Sequence, residues 1–187
     1  MKKLSLFITV LFFGYSTINA QDDASYGYAK GDILAAGSIT YSSDETSTTD
    51  ESSFTFAPSV HYFMSDDWSF GLGIGLMTTD GDAGEVSDTE ITLSARNYFL
   101  DLNDRNKIYL SLGLGLMSGD SYSEDMQSVG AGFGFNYFMT ENIILDFELA
   151  NLLSYTKQGD DTSMKIGWDG TMNNRFASPT LGVIFKF

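Results

Sequence analysis

Few side chains in this sequence are of types that could do acid–base or electrostatic chemistry inside a fold. His61 is the single histidine, so a Ser-His-Asp hydrolase would have to use it. The chain has no cysteine, which excludes thiolate nucleophiles, disulfides and cysteine metal sites. We therefore predict no catalytic residue, no metal site and no cofactor. The charged side chains that fall within segments of alternating hydrophobicity are Glu90, Arg96, Asp146, Glu148 and Lys186.

The segment Trp68–Met77, with the sequence WSFGLGIGLM, indicates the kind of element that positions these side chains. Every second residue is large and apolar, and the residues between them are serine, glycine or methionine. Alternation with a period of two is typical of a β-strand with two different faces. A face of glycines makes a poor soluble core, because glycine has no side chain to bury, but it fits a narrow lumen. The same design returns in Ile108–Met117, IYLSLGLGLM.

The position of the strand charges favours a membrane barrel over a soluble β-protein. All of these charges, and His61, fall on the face with small residues, and none falls on a bulky face. A basic residue on a lipid-facing surface at the bilayer midplane would cost roughly 2–4 kcal/mol. A soluble sandwich would bury these charges and expose the phenylalanines. We therefore predict that the bulky faces meet lipid and that the small faces line a lumen.

The alternation predicts eight strands, each of about 10 residues, which is the length that crosses a bilayer at a tilt. The connections after strands one, three, five and seven are long and acidic, and the others are tight turns. The predicted fold class is thus an all-β, eight-stranded antiparallel up-and-down transmembrane β-barrel, with tight turns and both termini on the periplasmic side. The predicted strands are Asp32–Tyr41, Ser53–Phe63, Trp68–Met77, Asp88–Phe99, Ile108–Met117, Met126–Phe138, Ile143–Ser154 and Phe176–Phe187.

The lumen of such a barrel is expected to hold a charge network. Eight strands leave an interior just wide enough for side chains to fill, and isolated charges there would be costly. We expect Arg96 to pair with Asp146, Glu148 or both, with Lys186 joining the network and His61 acting as a hydrogen-bonding side chain. The alternative for these charges is a proton or ion path.

The long loops are expected to form a solvated, mutually repulsive acidic surface. Their carboxylates are hard oxygen ligands that could bind divalent cations weakly. The loop acids are Asp44, Glu45, Asp50, Glu51, Asp80, Asp82, Glu85, Asp120, Glu124, Asp125, Asp160 and Asp161.

The first 20 residues, MKKLSLFITVLFFGYSTINA, have the pattern of a secretory signal peptide. Two lysines precede a short apolar run, and small residues lead to a predicted cleavage after Ala20. We therefore divide the chain into a signal peptide, residues 1–20, and a barrel domain, residues 21–187. Cleavage would leave 8 basic and 25 acidic residues, a formal charge of −17. Such a charge repels phosphates and excludes nucleic-acid binding.

Several segments resemble those of small eight-stranded outer-membrane barrels, namely the OmpA/OmpX-like and outer membrane protein beta-barrel domain families, which are also grouped with porins. These segments are FAPSVHYFMSDDWSFGLGIG at 56–75, SARNYFL at 94–100, FMTENIILDFELA at 138–150 and the final LGVIFKF. His61 departs from the family pattern, which has a small residue there. The resemblance implies a location in the outer membrane, contact with its lipid, and recognition of Phe187 as a signal by the barrel-assembly machinery.

Three functions are compatible with this fold. The first, which we favour, is a monomeric structural or surface-interaction protein with a plugged polar lumen and acidic outer loops that meet a surface ligand. The second is a narrow porin-like channel for small solutes or ions. The third is a lipid-modifying barrel enzyme, for which His61 would be essential.

Overall fold

The computed structural model describes residues 26–45, 50–82, 84–167 and 180–187. The predicted signal peptide, residues 1–20, lies outside the described residues. Within the described part, no helix is long and apolar enough to cross a membrane. The strands are β1 Ile33–Glu45, β2 Asp50–Phe63, β3 Trp68–Gly81, β4 Gly84–Asn103, β5 Asn106–Gly119, β6 Met126–Phe138, β7 Ile143–Gln158, β8 Asp161–Ile166 and β9 Thr180–Lys186.

The strands form one antiparallel sheet that closes on itself. The strands β1 to β7 pair in chain order, β7 pairs with β9, and β9 pairs with β1. The closing ladder runs from the pair Leu34 and Lys186 to the pair Gly37 and Val183. β8 pairs with the last part of β7 and prolongs that hairpin beyond the ring. The prediction of an eight-stranded antiparallel barrel is confirmed.

The two ends of the barrel differ. At one end, called here the turn end, lie the short connections 64–67, 104–105 and 139–142, together with residues 26–32 and Phe187. At the other end, called here the hairpin end, the chain reverses after β1, β3, β5 and β7.

Most strands continue further toward the hairpin end than the hydrophobic alternation predicts. β4 spans Gly84–Asn103, whereas the alternation predicts Asp88–Phe99. The alternation predicts one long loop, residues 155–175, between the last two strands. In the structure this stretch contains the end of β7 and all of β8. The alternation marks only the part of a strand that has an apolar outer face. Backbone pairing extends beyond it into polar ends such as residues 42–45 of β1 and 78–81 of β3. Of the predicted last strand, residues 176–179 lie outside the described residues.

The two faces of the sheet lie as predicted, with large apolar residues outside. Leu72 is 52% exposed and Leu112 is 56% exposed, whereas the inward-facing Ser69 and Asn136 are fully buried. The outer wall is therefore apolar and the interior contains the polar groups. This arrangement is the reverse of that in a water-soluble barrel.

The regular alternation breaks in β7. Its pairing with β6 shifts between Glu148 and Asn151, and again before Leu153. These are β-bulges, each of which leaves an extra residue on one strand. As a result Asn151 faces the interior, although a strict alternation continued from Glu148 would turn it outward.

Candidate functional site

The lumen at the turn end is filled by large side chains, which together we call the plug. Seven of the eight barrel strands each contribute one buried residue to it, and β3 contributes the buried but small Ser69. The eighth large side chain, Tyr28, comes from the segment that precedes β1. The members of the plug are Tyr28, Leu34, Phe63, Tyr98, Tyr109, Phe138, Ile144 and Ile184.

Tyr28 occupies the middle of this ring. Its own ring lies 4.3 Å from that of Phe63, 4.6 Å from that of Tyr98 and 5.1 Å from that of Phe138, measured between centroids. These three residues belong to β2, β4 and β6, so they approach Tyr28 from different parts of the wall. Tyr28 is only 8% exposed. A side chain from outside the strands therefore completes the packing of the lumen.

The segment 26–32 is tied to the wall around the turn end. The Gly31 amide donates to the carbonyl of Phe63 at 2.9 Å, and the Lys30 amide donates to Asp66 Oδ1 at 2.9 Å. Both partners lie at or beside the turn between β2 and β3. These bonds fix the part of the segment that follows Tyr28.

Two further ties hold the part that precedes Tyr28. Lys186 Nζ donates to the carbonyl oxygen of Gly27 at 2.8 Å. Arg105, in the turn between β4 and β5, donates to the hydroxyl of Tyr26 at 2.5 Å and places its guanidinium 4.2 Å from the centre of the Tyr26 ring. The segment thus crosses the mouth of the barrel with contacts on three sides.

A buried ion pair lies next to the plug. Arg96 Nη2 is 2.9 Å from Asp146 Oδ2, and both side chains are largely buried. Asp146 Oδ1 accepts hydrogen bonds from the Tyr109 hydroxyl at 2.7 Å and from Asn136 Nδ2 at 2.8 Å. The guanidinium also lies 4.5 Å from the centre of the Tyr109 ring. The carboxylate is therefore matched in charge and hydrogen-bonded at both oxygens, as a buried charge requires.

The structure places the other residues of the predicted network separately. Lys186 Nζ lies 3.7 Å from Asp32 Oδ2, at the turn end, rather than with the ion pair. Glu148 is half-buried, faces the lumen and takes part in no ion pair among the described residues.

His61 is 6% exposed and lies between two serines. Its Nδ1 is 3.5 Å from Ser69 Oγ, and its Nε2 is 3.4 Å from Ser94 Oγ. Both ring nitrogens therefore face hydroxyl groups, and in the part of the chain that the structure describes no carboxylate is hydrogen-bonded to the ring.

Glycines on the inner face provide space for these large polar side chains. A Cβ built at Gly71 would lie 2.5 Å from His61 Cε1, and one built at Gly134 would lie 2.5 Å from the Tyr109 hydroxyl. Real Cβ atoms do not approach so closely. The glycine alternation in the sequence is thus the counterpart of large side chains that reach across from neighbouring strands.

Beyond the ion pair, toward the hairpin end, the lumen contains a cavity of about 330 Å³, which we call the cup. Glycines, serines and threonines make up much of its wall. Among the described residues no group of three histidine, cysteine or carboxylate side chains is placed to hold a metal ion. The charged and polar side chains that line the cup include His61, Glu90, Ser94, Arg96, Ser111 and Glu148.

Sequence reasoning did not find the central residue of the plug. Residues 21–30 are largely polar and have no periodicity that links Tyr28 to the barrel, so their pattern indicates only a segment that leads into the first strand. One signal was present, since Phe63, Tyr98 and Phe138 place large rings on the inner face near the turns. A lumen that narrows to aromatic rings at one end favours a further aromatic group from the adjoining segment.

Comparison with known proteins agrees with this geometry. Residues 5–185 match the sequence model of the family described as outer membrane protein beta-barrel domain. The chain therefore belongs to the outer membrane protein beta-barrel domain family. A closed eight-stranded barrel with an apolar outer wall is the architecture of outer-membrane proteins. Family membership assigns it to the outer membrane. No curated protein matches the chain in sequence.

Two solved structures share the fold. The N-terminal β-barrel domain of Pseudomonas aeruginosa OprF is 19% identical, with a TM-score of 0.52, over 85% of this chain and 98% of that one. The outer membrane protein OprG from the same organism is 16% identical, with a TM-score of 0.52, over 88% of this chain and 99% of that one. At these identities the likeness concerns the fold alone.

Proposed function

We propose that this protein is a closed, structural outer-membrane barrel that displays acidic hairpins at the cell surface. The observation that carries the proposal is the plug, because Tyr28 and seven wall residues fill the lumen at the turn end. A lumen packed in this way passes neither solutes nor ions. Its polar groups instead stabilise the barrel from within, chiefly through the pair of Arg96 and Asp146.

The orientation in the membrane follows from the lengths of the connections. Outer-membrane barrels have short periplasmic turns and longer outer loops. The turn end, with the segment 26–32, would thus face the periplasm, and the hairpins would rise outside. We expect the protein to be a monomer. We also expect the assembly machinery to recognise Phe187 during insertion. Phe187 closes the ring through its backbone bonds with Ile33, at 2.8 and 3.0 Å.

The hairpin end is acidic, which limits the partners that it can bind. An acidic rim repels anionic surfaces and attracts basic ones. We propose that its partners are basic surface ligands, with weak and non-specific binding of divalent cations. The exposed acids of the described hairpins are Glu51, Asp80, Asp82, Glu85, Asp120, Glu124, Asp125, Asp160 and Asp161.

The proposal assigns no catalysis to the barrel. Nucleophilic hydrolysis through His61 would need a carboxylate to orient the imidazole. In the structure both ring nitrogens face serine hydroxyls at 3.4 to 3.5 Å. His61 then acts as a bridge between β2, β3 and β4.

Conductance tests the closed state directly. The mature protein would be refolded in detergent, checked for a boiling-sensitive gel mobility, and inserted into a planar lipid bilayer in potassium chloride. We expect insertion without a steady current. A persistent open-channel current from the wild-type protein would overturn the proposal and favour the porin-like alternative.

A further inference from the structure

The plug is made of two kinds of residue with different attachments. Seven of its large side chains stand on strands that are each paired with two neighbours. Tyr28 stands on the segment 26–32. Gly31 and Asp32 exchange backbone bonds with Phe63 at the end of β2, whereas residues 26–30 lie outside the ladders and are held by a few side-chain and backbone bonds. Removing residues 26–30 from the lumen would therefore leave every ladder of the barrel intact.

Tyr28 fills the centre of the plug. It contacts Phe63, Tyr98 and Phe138, which belong to three different strands, so it fills the space that the wall residues leave between them. Its hydroxyl reaches Asn136, which in turn contacts Asp146 beside the cup. Withdrawal of this one side chain would open the centre of the plug toward the cup.

The charges of the cup determine which ions would enter it. Among the described residues, Arg96 is the one permanently basic side chain that lines the cup, and Asp146 already matches its charge at 2.9 Å. Glu90 and Glu148 also line the cup, and neither takes part in an ion pair among the described residues. The cup therefore has an excess of negative charge, and a confined acidic lumen concentrates cations.

The inner glycines make room for both carboxylates in the wall of the cup. A Cβ at Gly132 would lie 3.3 Å from Glu148 Oε1 and 3.2 Å from Ser111 Oγ. A Cβ at Gly115 would lie 2.9 Å from Glu90 Oε1. Each carboxylate thus packs against the backbone of a glycine on the neighbouring strand, and a larger residue there would displace it from the wall of the cup.

We propose that residues 26–30 of this segment are a gate, and that withdrawal of Tyr28 turns the cup into a cation-selective path across the barrel. This inference rests on the proposed closed barrel, because a gate has meaning only if the resting lumen is sealed. It adds a function that the sealed state by itself does not have. The gate opens toward the turn end and the selectivity resides in Glu90 and Glu148.

The test is single-channel recording of the full mature chain in planar bilayers with a potassium chloride gradient. The wild type is expected to be silent, and Tyr28→Ala is expected to give stepwise currents that reverse near the potassium equilibrium potential. The matched control is Tyr62→Ala, which removes an outward-facing tyrosine of β2 and should stay silent. Adding Glu90→Gln and Glu148→Gln to Tyr28→Ala should abolish most of the preference for potassium over chloride.

A second variant covers the case in which Tyr28→Ala does not refold, as judged by loss of heat-modifiable mobility. Arg105→Ala combined with Asp66→Ala removes two ties of the segment without touching the wall, and it should produce brief openings that the wild type lacks. A properly folded Tyr28→Ala that is as silent as the wild type would overturn the gate but not the closed barrel. Currents without cation preference would overturn the role of the carboxylates. A steady wild-type current would instead overturn the closed barrel itself.

Discussion

The hydroxyl of Tyr28 donates a 2.6 Å hydrogen bond to the side-chain oxygen of Asn136, a residue 108 positions further along the chain. The side-chain nitrogen Nδ2 of the same Asn136 donates to Asp146 Oδ1, and Asp146 pairs with Arg96. A continuous series of hydrogen bonds therefore joins the segment before β1 to the buried charges of the lumen. This connection links the packing of Tyr28 at the turn end to the buried ion pair.

Substitution of Tyr28 should separate its hydrogen bond from its packing. Tyr28→Phe keeps the ring but leaves the Asn136 oxygen without its donor, so we expect a loss of about 1–3 kcal/mol in the free energy of unfolding. Tyr28→Ala also removes the stacked ring and should cost about 3–5 kcal/mol. Urea titration of the refolded protein in detergent micelles measures both. Tyr62→Phe, at an exposed outward position, is the control and should change stability by less than about 0.5 kcal/mol.

The ion pair should show strong coupling in a double-mutant cycle. Asp146→Asn leaves the Arg96 charge buried without a counter-charge, and we expect a loss of about 3–5 kcal/mol. Arg96→Met leaves Asp146 in the same condition and should cost a similar amount. The double variant should cost clearly less than the sum of the two, because no unmatched charge remains. Additive losses in urea titrations would show that the two side chains do not pair.

The glycines of the inner face offer a test of the packing around His61. Gly71→Ala would place a Cβ 2.5 Å from the imidazole, and the resulting displacement should cost about 1–3 kcal/mol. Combining it with His61→Ala should recover part of that loss, because the clashing ring is gone. Gly113→Ala is the matched control, since a Cβ there meets nothing within 4 Å. Equal losses for Gly71→Ala and Gly113→Ala would contradict the assigned contact.

The outer wall can be tested with a charge. Leu112 faces outward near the middle of β5 and is 56% exposed, so Leu112→Arg should destabilise the barrel in lipid by roughly 2–4 kcal/mol. Ser118→Arg, at the hairpin end of the same strand, should cost no more than about 1 kcal/mol. Folding into lipid vesicles at increasing denaturant concentrations compares the two. A smaller effect at Leu112 than at Ser118 would contradict the position of the lipid-facing band.

The sequence predicts the barrel well because lipid imposes a strict pattern on each strand. In Trp68–Met77 and Ile108–Met117 the structure turns the large residues of the bulky face outward as predicted, whereas Tyr109, on the other face, is buried in the plug. The same pattern placed Arg96 and Asp146 on the inner face, where the structure brings them together. The alternation shows on which face of a strand a residue lies, but not which residues of other strands it contacts. It therefore could not show that Lys186 lies beside Asp32 rather than beside the ion pair.

Other features were not accessible from the pattern. The strand β8 has six residues with only two apolar ones, Met164 and Ile166, so its alternation is too short to indicate a strand. The ends of β4 lie beyond the long alternation of its central part. The bulges of β7 depend on how the strand fits β6, which no local pattern encodes. Tyr28 stands in a segment with no alternation, and only the aromatic residues on the opposing walls indicate its position.

Tyr28 lies inside the barrel, at the centre of the plug. Solution NMR of the refolded mature protein in micelles, with aromatic side chains selectively labelled, measures this position. The structure predicts nuclear Overhauser contacts from the Tyr28 ring to the rings of Phe63, Tyr98 and Phe138, together with slow exchange of the Gly31 amide. A Tyr28 ring with averaged shifts and no contact to any of these three residues would contradict the account.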